Sequence, residues 1–215
     1  SAASDVYKRQ EYNTASQMYA LIHEMRTRII KSSAFNSERI LGAILFKDTM
    51  LKEINNLPTA IYLWEKLQIV PFLKIDQGLR SSENQAQLLK PINDLKTSLE
   101  LAKKNKVFGT KMRSLINGAN NIGIKDLVDQ QFDIGEEILS FGLLPIIEPE
   151  VDITIPDKRE AEDMLYNNIK RRLDRIESSK KVILKLSLPE QDNFYEPLTQ
   201  HPNILRIFAL SLSLI

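Results

Sequence analysis

Four lysines and glutamates sit where an apolar strand has no obvious use for them. Lys74 lies in VPFLKID (70–76), Lys111 in VFGTKMR (107–113), Glu148 in LLPIIEPEV (143–151) and Lys185 in VILKLSLPE (182–190). Residues of these types are seldom fully buried unless they are paired or functional. A single lysine of this kind is most often a rim residue whose stem covers apolar surface while its ammonium reaches water. Four in four successive runs, each toward the C-terminal end of its run, form a pattern instead. Residues two apart on a strand share a face, which adds Asp76 to Lys74, Arg113 to Lys111, Glu150 to Glu148 and Ser187 to Lys185. Asp76 also suits a loop cap, and Arg113 and Glu150 a plain strand-end ion pair.

Several cations interleaved with carboxylates point to a phosphorylated substrate and to acid–base work. A desolvated lysine beside other cations is a route to an amine nucleophile that forms a Schiff base with a ketone. Bringing a lysine into the neutral range costs the charged form about 4–5 kcal/mol, which burial and neighbouring positive charge can supply. For Lys185 to use this route, Glu148 must not pair with it too closely. Other chemistries find little support. The chain has no cysteine and two histidines, His23 and His201, whereas a catalytic zinc usually takes about three protein ligands, commonly histidines. No GxSxG nucleophile elbow occurs. No metal and no cofactor are therefore expected.

The elements that would carry these groups alternate. Six strand-length apolar runs recur, at 41–46, 70–76, 107–113, 143–151, 182–188 and 204–211. Between them the spacing predicts helices over 58–67, 91–104, 123–141 and 157–179, with another ahead of the first run at 17–30; two of these open on a proline, Pro58 and Pro91. Strand alternating with helix argues for a parallel sheet, and runs apolar on both faces suit one that is buried. A doubly wound open sheet would want a glycine-rich phosphate loop after an early strand. Seven glycines and no GxGxxG favour a (β/α)₈ TIM barrel, whose mouth at the strand C-termini gathers side chains from several strands.

Length and charge narrow the class. At 215 residues and 43% hydrophobic, the chain is long enough for one domain with a substantial core. A net charge of +1 gives no reason to expect nucleic acid or an anionic membrane as partner. The C-terminal run ILRIFALSLSLI contains Arg206 and is shorter than the roughly 18–20 apolar residues of a spanning helix. No apolar signal segment is visible at the N-terminus, and the absence of cysteine fits a reducing cytosol, so a cytoplasmic location is expected.

Both ends look foreign. SAASDVYKRQ resembles a translated sequencing adapter: GCA GCG TCA GAT GTG TAT AAG AGA CAG encodes AASDVYKRQ, and the reverse complement opens CTG TCT CTT ATA, encoding the LSLI of Leu212–Ile215. Residues 1–10 and 212–215 are read as adapter-derived and set aside. They contain Lys8, Arg9 and Asp5, so the remainder, a partial barrel domain over 11–211, is formally neutral.

FLKID, FGTKMR, LLPIIEPEV and VILKLSLP, with HEMRTRII, LGAILFKDTM, GIKDLVDQQF and HPNILRIFALS, resemble in that arrangement the bacterial branch of class I fructose-1,6-bisphosphate aldolase. The likeness runs over essentially all of 12–211. It implies a metal-independent lyase that reversibly cleaves fructose 1,6-bisphosphate to dihydroxyacetone phosphate and glyceraldehyde 3-phosphate, so the partners implied are phosphorylated ketose and triose substrates. By this resemblance Lys185 forms the Schiff base at the ketone C2 and Glu148 donates and accepts the proton. Lys111 assists carbinolamine formation, Lys74, Asp76 and Arg113 line the pocket, and Glu150 supports it. Ser211 begins what the family continues as an SGG loop whose N–H groups hold a phosphate. The family's first strand, with an aspartate, is not seen before Glu11, nor its eighth, with a phosphate-binding arginine. The chain then holds strands two to seven of eight and is expected to be inactive in bisphosphate cleavage. Two other classes fit the same residues: a non-catalytic barrel relative that binds phosphosugars or a protein partner, and another Schiff-base aldolase of a phosphorylated sugar. The first would be expected to lose a member of the lysine–glutamate set, and none is lost.

Overall fold

The computed structural model describes residues 13–210; Glu11, Ser211 and the two segments read as adapter lie outside the described residues. All six apolar runs are strands of one sheet: β1 (Gly42–Leu45), β4 (Val70–Lys74), β6 (Gly109–Ile116), β7 (Leu144–Val151), β8 (Val182–Ser187) and β9 (Ile204–Leu210). They are parallel and stand in chain order across the sheet. Each crossover carries at least one helical segment, as a parallel connection requires. The sheet curls into a half-barrel. Among the described residues, β1 pairs only with β4 and β9 only with β8, so each presents a free edge.

The helices follow their sequence signals. Helix α1 (Ala15–Ile30) opens on a capping box in which Thr14 accepts from the Gln17 N–H and the Gln17 side chain accepts from the Thr14 N–H. Helix α5 (Asn121–Ser140) is capped by Asn120, which accepts from the N–H groups of Ile122 and Gly123. Helix α6 (Lys158–Leu173) packs on α5. Asp129 ties the two together. Burial works against its charge, but hydrogen bonds from Lys125, Arg171 and Arg172 win and bring its pKa down to about 2.

Three elements differ from expectation. The region 58–67 is a single turn, α3 (Thr59–Tyr62), running into a π-helical turn at Leu63–Leu67 that ends at left-handed Gln68. The helix predicted from Pro91 starts at Leu95 (α4, Leu95–Lys104), because Asp94 takes the cap position and its carboxylate holds Lys47 at 2.6 Å. Small hairpins also appear: β2 (Glu53–Ile54) with β3 (Leu57–Pro58), and β5 (Ala86–Gln87), which lies antiparallel against the end of β6. Short helices α2 (Lys47–Met50) and α7 (Glu196–Thr199) complete the set.

A buried ion pair fixes the loop that follows β8. Lys158 donates to Glu162 one turn along α6 and to the Leu188 carbonyl at 2.9 Å, while Glu162 accepts from the Glu190 N–H at 3.1 Å. Both side chains are buried. Removing one member strands the other charge, so Lys158→Met is expected to cost about 3–5 kcal/mol in urea denaturation. A loss below ~1 kcal/mol would mean that Glu162 finds water or another donor.

Candidate active site

The ionisable residues of the four strands project to one side of the curled sheet, and a stagger pairs them. In register, Lys111 stands opposite Ile146 and Arg113 opposite Glu148. Each side chain reaches two residues further along β7, Lys111 to Glu148 and Arg113 to Glu150. Lys185 enters from β8 and places Nζ 2.8 Å from Glu148 Oε1. Glu148, its side chain 1% exposed, is therefore held by two ammonium groups, one on each carboxylate oxygen.

Lys185 is less dry than the sequence suggests. Its side chain is 22% exposed against 9% for Lys111, and it pairs directly with the glutamate that was expected to stand off. Position in the sheet explains the difference. Lys111 lies on β6, covered by β4 on one side and β7 on the other, whereas β8 is one strand from the free edge. Burial lowers the pKa of Lys111 from the ordinary lysine value, and the charge of Lys185 adds to this; Glu148 and Asp76 pull the other way. Lys185 instead borders an open cavity of about 560 Å³ on the concave face, floored by Phe72, Ile146 and Ile183.

Arg113 and Glu150 form a two-pronged pair, with Nη2 3.0 Å from Oε1. Hydrogen bonding to Glu150 raises the Arg113 pKa despite its partial burial. Lys74 and Asp76 pair within their own strand end, and Asp76 also acts electrostatically on Lys111 and Arg113. Lys74 lies 5.8 Å from the centre of the Phe46 ring and opens onto a second cavity of about 450 Å³. Eight of the nine residues singled out in the sequence are thus described, and seven of them belong to one contiguous cluster of four cations and three carboxylates. Ser187, expected on the face of Lys185, is engaged elsewhere: its hydroxyl bonds to the backbone of Val151.

The sequence reading overlooked a neighbouring set. Arg26 contacts Asp48 and Thr49, Lys47 contacts Asp94 and Ser98, and Gln77 donates to Asp94 at 2.6 Å. All of these but Thr49 line the second cavity. The available signal was LFKDT, where Lys47 and Asp48 follow β1 much as Lys74 and Asp76 close β4. Among the described residues, no group of three or more His, Cys, Asp or Glu is placed to hold a metal ion, and no helix is long and apolar enough to cross a membrane.

No protein-family model matches the chain. Curated relatives do. It is 52% identical over 204 residues to the class 1 fructose-bisphosphate aldolase of Clostridium acetobutylicum, covering 95% of this chain and 69% of that protein. It is 50% identical over 200 residues to the class 1 fructose-bisphosphate aldolases of Synechocystis and of Porphyromonas gingivalis, covering 93% of this chain and 67% and 68% of theirs. Among solved structures, a fructose-bisphosphate aldolase of Plasmodium falciparum, in a ternary complex with TRAP and a small-molecule inhibitor, superposes with a TM-score of 0.53 at 16% identity, over 86% of this chain and 62% of that one. At that identity the superposition speaks for the fold alone. The curled parallel sheet and the half-identical sequence along nearly its whole length place the chain in the class 1 fructose-bisphosphate aldolase family.

Proposed function

We propose that this chain carries the Schiff-base half-site of a cytoplasmic fructose-bisphosphate aldolase, with Lys185 as nucleophile and Glu148 as proton carrier. The single observation that supports this best is Glu148 wedged between Lys111 and Lys185, 2.8 Å from the latter. In the resting site Lys185 holds its proton against the carboxylate. Transfer of that proton to Glu148 gives a neutral amine, which attacks the ketone C2. The resulting carbinolamine hydroxyl leaves as water with the proton stored on Glu148, and the nitrogen keeps the positive charge as a protonated imine. Glu148, ionised again by that step, takes the C4 hydroxyl proton as C3–C4 breaks and C4 becomes the aldehyde carbonyl; the imine accepts the released electron pair as an enamine, so no metal is needed. Lys111 holds the Glu148 carboxyl group in place throughout. The close Lys185–Glu148 pair, an obstacle on the sequence reading, becomes the proton store.

The surrounding groups suit a phosphorylated ketose. Four cations against three carboxylates leave one net positive charge in a partly dry cleft, where electrostatic attraction for an anion is strengthened. On this reading Lys74, Asp76 and Arg113 line the pocket, Glu150 orients Arg113, Ser211 begins a phosphate loop, and the six parallel strands are the second to seventh of a (β/α)₈ barrel.

Sodium borohydride added with dihydroxyacetone phosphate, followed by peptide mapping, tests the assignment. A stable adduct on Lys185 is expected, and Lys185→Met should lose it. Label on Lys111 instead would overturn the roles. The 215-residue chain should show negligible bisphosphate cleavage, because the family's aspartate and arginine strands are not among its strands on this reading; robust metal-independent turnover would refute that count.

A further inference from the structure

Glu148 owes its place to more than its own strand. The ladder between β7 and β8 pairs Ile146 with Ile183 and Ile147 with Leu184, and ends there. The ladder between β6 and β7 runs on to Ile116 and Val151, and from Glu148 onward side chains add to it. Gln131 of α5 donates from Nε2 to the Glu148 carbonyl at 3.1 Å and accepts from the Glu148 N–H at 2.9 Å. Three residues on, the Ser187 hydroxyl accepts from the Val151 N–H at 3.0 Å and donates to its carbonyl at 2.8 Å. The β7–β8 ladder stops where the reactive side chains stand, and at both Glu148 and Val151 a polar side chain meets the β7 backbone with the donor–acceptor pattern of a peptide.

Gln131 is an unlikely residue for its position on packing grounds. It has no exposed surface and lies in the apolar stripe of α5 with Ile124, Leu127, Val128 and Phe132. Burying an amide is unfavourable unless its hydrogen bonds are made. Here the amide makes two of them to a single residue, and that residue is the carboxylate at the centre of the charged cluster.

We propose that Gln131 is a positioning residue for Glu148: by bonding both its N–H and its carbonyl it fixes the Glu148 peptide so that its carboxylate stands between Lys111 and Lys185. The role of Glu148 in the reaction rests on the function proposed above; the positioning does not. Without Gln131 the Glu148 backbone must seek other partners, and the carboxylate moves off Lys111. The charges facing Lys111 are Asp76 beyond β4, Glu148 on β7 and Lys185 on β8, so losing Glu148 leaves burial and Lys185 less opposed.

The test compares Gln131→Met, which keeps the volume and loses both bonds, with Gln131→Glu and with Val128→Ala, a packing control one turn earlier on the same helix. Lysine Nζ titration by NMR and borohydride trapping of dihydroxyacetone phosphate are read on each. Gln131→Met should titrate Lys111 at lower pH than the unsubstituted chain and trap more slowly by about ten- to a hundredfold, as expected for a misplaced reacting group. Val128→Ala should leave the Lys111 titration unchanged. Gln131→Glu should behave like the unsubstituted chain at acidic pH, where the introduced carboxyl is protonated and can donate to the Glu148 carbonyl. It should drift toward Gln131→Met as that carboxyl ionises. An unchanged Lys111 titration in Gln131→Met overturns the proposal. If that variant does not fold, a Gln131→Glu titration of Lys111 that shows no dependence on the added carboxyl overturns it. A shifted Lys111 titration in a chain that traps nothing at Lys185 keeps the positioning role and removes the proposed reaction.

Discussion

Glu148→Gln should be among the most destabilising single changes in the charged cluster, by about 3–5 kcal/mol near neutral pH. The glutamate side chain is 1% exposed and faces an ammonium on each oxygen. Replacing it with a neutral amide leaves both cations without their partner, and that penalty falls mainly on the better buried Lys111. The effect carries a pH signature. Burial already lowers the Lys111 pKa below its ordinary value of 10.5. Between the lowered value and 10.5 the unfolded chain binds more protons than the folded one, so stability rises with pH across that window. Without Glu148 the folded pKa drops further and the window widens at its acidic end. The deficit of Glu148→Gln relative to the unsubstituted chain should thus be greatest near neutral pH and shrink toward alkaline pH. Urea denaturation at neutral and alkaline pH checks this. A deficit that stays constant or grows with pH would mean that lost packing, not stranded charge, sets the cost. Lys111→Met is the companion measurement. It leaves Glu148 its contact with Lys185, so it should be milder than Glu148→Gln.

How far such a site can be read from sequence depends on what kind of information each part needs. The six strands were legible because strands buried on both faces write themselves as continuous apolar runs, and β1, β4, β6, β7, β8 and β9 each lie on one such run. The charged residues were legible for the complementary reason: each interrupts a run. Their partnerships were not. Alternation along a strand says that Lys111 and Arg113 share a face, but the pairing with Glu148 and Glu150 depends on the sheet's stagger, a property of neighbouring strands. Relative dryness was illegible too. Lys185 sits in the more apolar run of the two yet is the more exposed; distance from the sheet edge, not local composition, distinguishes them. The hairpin around β5 gave no warning because its turn uses Asn84 and Gln85 at positive φ, 49° and 57°, where glycine would be the usual marker. Gln131 was visible as a polar residue in an apolar helical stripe; that pattern marks a buried amide and does not say what the amide holds.

Gly109→Ala should have the largest effect on folding of any substitution in the FGTKMR run, and the reason is the approach of β6 to β7. In register, Gly109 stands opposite Leu144 on one side and Phe72 on the other. A Cβ at Gly109 would overlap the Leu144 carbonyl oxygen and come within 3.0 Å of the Phe72 ring edge. The ring can turn aside. The carbonyl cannot, because it belongs to the backbone of the central ladder. Relief therefore requires β6 and β7 to part at the start of their pairing, two residues before Lys111 and four before Glu148's register partner, Arg113. A cost of at least ~3 kcal/mol is expected, a large share of the roughly 5–15 kcal/mol that holds a typical domain folded. Gly118→Ala is the matched control. There the built Cβ meets only the end of the Gln85 side chain, which can swing away, so little stability should be lost. Adding Phe72→Leu to Gly109→Ala should not rescue it, since the ring is not the obstacle. Recovery by that double variant would show that strand separation at Leu144 is cheap. In that case the close β6–β7 contact could not be what aligns Lys111 with Glu148.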